Sequence, residues 1–158
     1  MKTLLRPTIP ADVPGILALI GGIFGEYDCV LDAENEDTHL LNPGEYFRSR
    51  GGEFWVVETD TKIVATVGFT VHDHLAELKS LYVDPGLRRQ GWGERLTQLV
   101  VDNARAQDCG RLELWSDTRF TNAHKLYRRM GFQPMGERDL HDSNNSREFG
   151  FFLPLNQE

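Results

Sequence analysis

Between Phe54 and Trp115 the hydrophobic period changes twice, and this change governs what the chain can fold into. Phe54-Trp55-Val56-Val57-Glu58 reads as a strand, Asp60-Thr61 as a turn, and Lys62 to His72 as a second strand rich in β-branched residues. Asp73-His74 turns the chain into a third strand, Glu77 to Val83, which Asp84-Pro85-Gly86 ends. From Trp92 to Ala106 the pattern is helical, with Leu96, Leu99, Val100 and Asn103 on one face. Gly110 caps its end, and Arg111-Leu112-Glu113-Leu114-Trp115 alternates as a strand. A strand–helix–strand crossover beside antiparallel neighbours demands a mixed sheet with helices on its faces.

The flanks add helices and a closing strand pair. Asp12 reads as the N-cap of an early helix carrying Ile16, Leu19, Ile20 and Ile23. Glu26 to Asp37 is less regular and rich in carboxylates, and Glu45 to Arg50 forms a short helix stopped at Gly51-Gly52. Ala123, Leu126, Tyr127 and Met130 mark a short amphipathic helix ended by Gly131. Phe132 to Glu137 and Glu148 to Leu153 read as strands joined by the polar loop from His141 to Ser146. With no internal repeat or Pro/Ser-rich linker, the reading is one domain over residues 1–158.

The net charge of −7 argues against a broad phosphate-backbone surface, and so against nucleic acid as the main ligand. No apolar run is long enough to span a bilayer, and the amino-terminal residues carry no secretory signal, so no membrane association is expected. Cys29 and Cys109 read as two free thiols in a reducing cytoplasm. His72 and His74 alternate without a third ligand, His124 reads as a helix-surface residue and His141 as a loop residue, so no metal is expected.

Leu81-Tyr82-Val83-Asp84-Pro85-Gly86-Leu87-Arg88-Arg89-Gln90-Gly91-Trp92-Gly93 leads from a strand through a turn into a helix. The first amides of a helix lack intrahelical partners and sit at its positive end. Glycines 91 and 93 leave the backbone open to a bulky anion, and Arg88 and Arg89 can add charge-assisted contacts, so these parts suit a pyrophosphate. No Gly-Lys-Ser/Thr follows, and Leu96 occupies the third glycine position of the dinucleotide fingerprint, which excludes both of those phosphate loops.

On these residues the chain resembles the GCN5-related N-acetyltransferase (GNAT) superfamily. Arg88-Arg89-Gln90-Gly91-Trp92-Gly93 matches its Arg/Gln-x-x-Gly-x-Gly/Ala signature, after a strand ending Val83-Asp84-Pro85. Ala123 to Phe132 matches its second block, Ala-x-x-Leu-Tyr-x-x-x-Gly-Phe. The resemblance is specific from about Glu53 to Phe132. It implies an α/β (α+β) fold with a mixed, mostly antiparallel sheet of six to seven strands flanked by helices. Two parallel strands would splay apart at its centre.

The same resemblance implies acetyl-CoA as co-substrate and transfer of its acetyl group to an amine. The turn of Arg88, Arg89, Gln90, Gly91, Trp92 and Gly93 would hold the pyrophosphate, with Leu81, Tyr82 and Val83 along the pantetheine. The Val83 amide would polarise the thioester carbonyl. Tyr127 holds the position of the general acid that protonates the CoA thiolate, a phenol of pKa about 10 facing a thiol of about 8.5. Glu77, eleven positions before Arg88, matches the base of the histone-acetylating branch, although Lys79 on the same face offers it a salt bridge and a water chain could serve instead. Many members carry an asparagine contacting the cofactor where this chain has Phe120, and Asn122 is the nearby substitute.

In the family the acceptor pocket lies between the early helices and the loop joining the last two strands. Glu26, Asp28, Asp32, Glu34, Glu36 and Asp37, with Asp142 and Glu148, make those segments acidic and favour a cationic amine of a small molecule or protein. An acidic protein with acidic loops gives the same pattern. Members often dimerise, so a homodimer is a further expectation. The rival reading from another class is a non-catalytic acyl-CoA-binding sensor.

Overall fold

A computed structural model describes residues 2–156. Seven strands form one sheet in the order β1-β2-β3-β4-β5-β7-β6. They are β1 (Thr3–Pro7), β2 (Glu53–Thr59), β3 (Lys62–His72), β4 (Leu75–Val83), β5 (Arg111–Asp117), β6 (Gln133–Asp139) and β7 (Arg147–Pro154). Every pairing is antiparallel except β4 with β5, which the helix crossover makes parallel. The helices are α1 (Val13–Gly25), α2 (Pro43–Arg48), α3 (Trp92–Ala106) and α4 (Thr121–Arg129).

The apolar run of β2 shows why both sheet faces are covered. Phe54 and Val56 point to one side, into a core with Ile16, Ile20 and Ile23 of α1 and Phe47 of α2. Trp55 and Val57 point to the other, into a core with Leu96 and Val100 of α3 and Tyr127 of α4. The period-2 alternation of a strand thus feeds two cores at once.

Three local expectations need correction. β1 has no signature in the sequence: it is an edge strand, largely exposed, and it ends in proline, so it carries no alternation. On α3, Leu96 and Val100 are buried as expected, but Leu99 and Asn103 are only half-buried; Val101 and Ala104 complete the inner face. Asp12 stands at the head of α1 without capping it through its side chain. Its carboxylate instead accepts both arms of Arg6 at 2.8 Å, the Ile9 amide at 2.8 Å and the Thr8 hydroxyl at 3.2 Å. This buried fork ties β1 to the entry of α1.

The Arg6 contact, ahead of the opposing effect of burial, holds the Asp12 carboxyl below its ordinary range. A lowered carboxyl stabilises the fold above its unfolded pKa of 3.8 and loses that contribution as pH falls below it. Asp12→Ala is expected to cost about 3 kcal/mol at pH 7, because it strands Arg6. Denaturant melts at pH 7 and pH 3 check this: the gap between wild type and variant narrows at the lower pH.

Candidate active site

β4 and β5 pair only from Leu75 opposite Arg111 to Leu78 opposite Leu114. Beyond that point β4 runs on to Val83 against β3, and β5 to Asp117 against β7, no longer bonded to each other. Their facing edges are left unpaired, which a sheet interior tolerates only where something else supplies partners. The parting coincides with a bulge in β4, where the register against β3 shifts between Thr66 and Gly68. Ser80 takes φ +58° there, its carbonyl accepting from the Thr66 hydroxyl at 2.8 Å. The Ser80 hydroxyl lies 3.3 Å from His39 Nε2. Burial, reinforced by Lys79, depresses the His39 pKa to about 4, so this ring is neutral at neutral pH.

The parted strands open onto a cleft of about 430 Å³. Leu78, Lys79, Ser80, Leu81 and Tyr82 of β4 form one wall, with Leu114 to Asp117 of β5 opposite. The outer walls are the 26–37 segment and the 140–146 hairpin loop. Those two loops clasp each other. The Val30 amide donates to Asn144 Oδ1 at 3.0 Å, and Asn144 Nδ2 donates to the Val30 carbonyl at 2.9 Å. Glu36 accepts from the Ser143 amide and hydroxyl at 2.9 and 2.6 Å.

Tyr127 reaches the cleft from α4. Only 3% exposed, it packs on Phe132 and Phe151, and its hydroxyl has no hydrogen-bond partner among the described residues. Burial pushes its phenol well above the ordinary value. The Tyr82 phenol is likewise raised, by burial first and then by Asp37, Glu148, Tyr127 and Asp117. Phe120 lines the cleft edge-on to Tyr27 at 5.0 Å and to Tyr82 at 6.3 Å. The asparagine expected there is therefore replaced by an aromatic wall, while Asn122 is exposed on α4 and outside the cleft lining.

At the other end of the parted strands lies the turn into α3. Gly91 caps the helix at φ +82°, a conformation that costs other residues roughly 1–2 kcal/mol. The main-chain N–H groups of Arg89, Gln90, Gly91, Trp92, Gly93 and Glu94 make no hydrogen bond among the described residues; the first amide to do so is that of Arg95, to the Gly91 carbonyl at 3.0 Å. Six consecutive unpaired amides at a helix start form an anion cradle. A Cβ at Gly91 would meet nothing within 4 Å, so the approach is clear, whereas one at Gly93 would stand 3.1 Å from Leu126 Cδ2. Gly93 therefore serves the packing of α3 on α4. Arg88 does not turn into the cradle: its guanidinium forks onto Glu26 at 2.9 and 3.0 Å. Arg89 and Gln90 are exposed, and Trp92 is half-buried.

Of the other expected site residues, Leu81 and Tyr82 face the cleft and Val83 pairs with Ala65 just beyond it. Glu77 is not among the cleft-lining residues. It lies where β4 and β5 still pair, opposite Glu113, with Lys79 Nζ at 3.9 Å. His124, read as a surface residue, is buried at 3% exposure, with Nε2 3.1 Å from Ser116 Oγ and its ring against Phe149 and Phe151. Burial lowers its pKa, so it is a packed polar residue.

The sequence profile of the acetyltransferase (GNAT) family matches residues 23–132, well over half of the chain. This chain belongs to that family. The human protein N-acetyltransferase 8 is 35% identical over 98 residues, covering 58% of this chain and 43% of the relative. Human N-acetylaspartate synthetase is 31% identical over 114 residues, covering 71% of this chain and 36% of the relative. The chain thus spans less than half the length of these human relatives. Among solved structures, a GNAT-family acetyltransferase from Staphylococcus aureus Mu50 superposes with a TM-score of 0.85 at 19% identity, over 98% of this chain and all of that one. A Salmonella typhimurium protein solved with its cofactor acetyl-CoA gives 0.74 at 17% identity, over 99% of this chain and 95% of that one. The GNAT family uses acetyl-CoA.

Gly91→Val is expected to weaken acetyl-CoA binding at least tenfold in calorimetry, by placing a branched side chain over the cradle. Gly93→Ala is expected to act first on thermal stability, through Leu126.

Proposed function

We propose that this protein is an acetyl-CoA-dependent N-acetyltransferase that moves an acetyl group to a primary amine of a small molecule or protein. The acceptor amine attacks the thioester directly in a ternary complex. One observation carries the reading: the parted strands border the cleft that Tyr127 lines with its hydroxyl unpartnered, and β4 runs on from that cleft into the turn of open amides. The pyrophosphate rests on the 89–94 amides, and the pantetheine arm extends between β4 and β5 past Leu81 and Tyr82. The Val83 amide polarises the thioester carbonyl.

Tyr127 protonates the departing sulfur. Its raised pKa keeps the phenol protonated throughout the working range, so the proton is available, but transfer to a thiolate is uphill and must accompany C–S cleavage. Glu77 is poorly placed as base, being outside the cleft lining and beside Lys79. The cleft itself holds five carboxylates, on Glu36, Asp37, Asp117, Asp142 and Glu148, against the cations Lys79 and Arg119. That balance favours a cationic amine. The two free thiols suit a cytoplasmic setting.

Tyr127→Phe is expected to lower kcat about 100-fold or more while leaving acetyl-CoA affinity unchanged, as loss of a general acid does. Thiol release and calorimetry together check this. Acetyl-CoA binding without CoA production across a broad amine panel would instead identify a sensor.

A further inference from the structure

Four of the cleft carboxylates have an ion pair or a well-formed hydrogen-bond donor, and the fifth has only a main-chain contact at Asp32. Asp117 is held by Arg119 at 2.9 Å and Glu148 by Arg138 at 2.8 Å. Glu36 accepts from Ser143, and Asp142 from the Ser146 amide at 2.7 Å. Asp37 lines the same cleft, half-buried, with no ion pair and no side-chain hydrogen-bond donor among the described residues. Burial first, then Glu36, pushes its carboxyl up to about 6; Asp142 and Asp32 add to this, and a main-chain hydrogen bond at Asp32 offsets part of it. A charge kept there is costly until a cation arrives.

The cleft that Asp37 lines has an aromatic wall. Tyr27, Tyr82 and Phe120 interlock edge-to-face along the cleft, and Phe24 adds its ring 6.0 Å from that of Tyr82. Aromatic faces attract an ammonium group without neutralising it. Among the charged groups acting on the Tyr82 phenol, Asp37 is the strongest, and Tyr127 acts on the same phenol. Asp37, Tyr82 and Tyr127 all line this one cleft.

We propose that Asp37 and the Tyr27–Tyr82–Phe120 wall form an ammonium-selective acceptor subsite, in which the Asp37 carboxylate pairs with the incoming R–NH3+ and takes its proton. This rests on the transferase reading above. The proton passes to Asp37, leaving R–NH2, whose lone pair forms the C–N bond at the thioester carbon. As the C–S bond breaks, the sulfur takes the Tyr127 proton, and the phenolate recovers one from the acylated nitrogen. Asp37 then releases its proton to solvent, and the products are the N-acetyl amine and CoA thiol.

An anionic acceptor fits poorly. Aspartate, for whose acetylated form the N-acetylaspartate synthetases are named, would bring its carboxylates against Asp37 and Glu148. The cleft cations Arg119 and Lys79 are already committed, to Asp117 at 2.9 Å and Glu77 at 3.9 Å. His141, on the hairpin loop, is the other basic side chain on the cleft.

The test follows CoA thiol release with spermidine, tyramine and L-aspartate as acceptors for wild type, Asp37→Asn and Asp37→Glu, with acetyl-CoA affinity measured by calorimetry. The cations are expected to exceed aspartate at least tenfold in kcat/KM. Asp37→Asn should lose about 100-fold in kcat/KM for them, together with the acidic limb near pH 6, and keep acetyl-CoA affinity within about twofold. Asp37→Glu should recover part of the rate. The carboxyl sits above its unfolded value of 3.8, so its cost to folding is absent below about pH 4 and full above about 6. Asp37→Asn should therefore melt higher than wild type at pH 8, which separates lost activity from lost fold. Aspartate as the better acceptor, or an Asp37→Asn enzyme with wild-type kcat/KM, overturns the subsite and leaves the transferase standing. Failure of acetyl-CoA to bind, or binding with no thiol release from any amine, defeats the transferase reading and the subsite with it.

Discussion

Two parallel strands that bond for four residues and then part, at Leu78 and Leu114, set up everything else in this molecule. A sheet interior rarely leaves main-chain groups unpaired, because each costs as much as a lost hydrogen bond. Here the gap is held by covalent geometry and by named contacts. Ser80 is forced to a positive φ, the Thr66 hydroxyl fixes its carbonyl, and His39, neutral through burial, meets its hydroxyl. The bulge turns β4 away while β5 continues straight along β7. The result is a slot with polar edges, and β4, which forms one of them, leads through Val83 into the turn that begins α3.

The floor of the cleft is sheet, but its walls come from segments far apart in sequence. The 26–37 loop and the 140–146 loop hold each other through Val30–Asn144 and Glu36–Ser143. Arg119 joins them, bonding Asp117 at 2.9 Å and the Asn144 carbonyl at 2.8 Å. Most charges in the cleft are thus consumed in building it. The unpartnered hydroxyl of Tyr127 and the half-buried carboxylate of Asp37 are exceptions, and such local departures from polar satisfaction gather where a protein binds or reacts.

The strand–helix periodicity and the two glycine-bearing blocks made the fold legible, because they record constraints local in sequence. β2 to β5 and α3 follow the hydrophobic alternation, and the turn before α3 announces itself by Gly91, whose backbone angle demands it. β1 escaped because an exposed edge strand need not alternate. The bulge at Ser80 escaped because a serine at positive φ leaves no compositional mark. His124 looked like a helix-surface residue until its burial against Phe149 and Phe151 was seen. In the acidic 26–37 segment, Asp37 was one carboxylate among several. That Asp37 ends up in the cleft, beside carboxylates already held by Ser143, Arg119 and Arg138, depends on residues more than eighty positions away in sequence, and no local pattern encodes that.

The placement of β7 has a consequence for synthesis of the chain. The last of the seven strands in chain order is not at the sheet edge: it lies between β5 and β6, covering the full length of β5. Until β7 has been synthesised, β5 has an open side and β6 has nothing to bond. An unpaired edge flanked by the apolar side chains of Leu112 and Leu114 invites wrong association. A stall or truncation ahead of β7 therefore leaves a sheet with its middle missing.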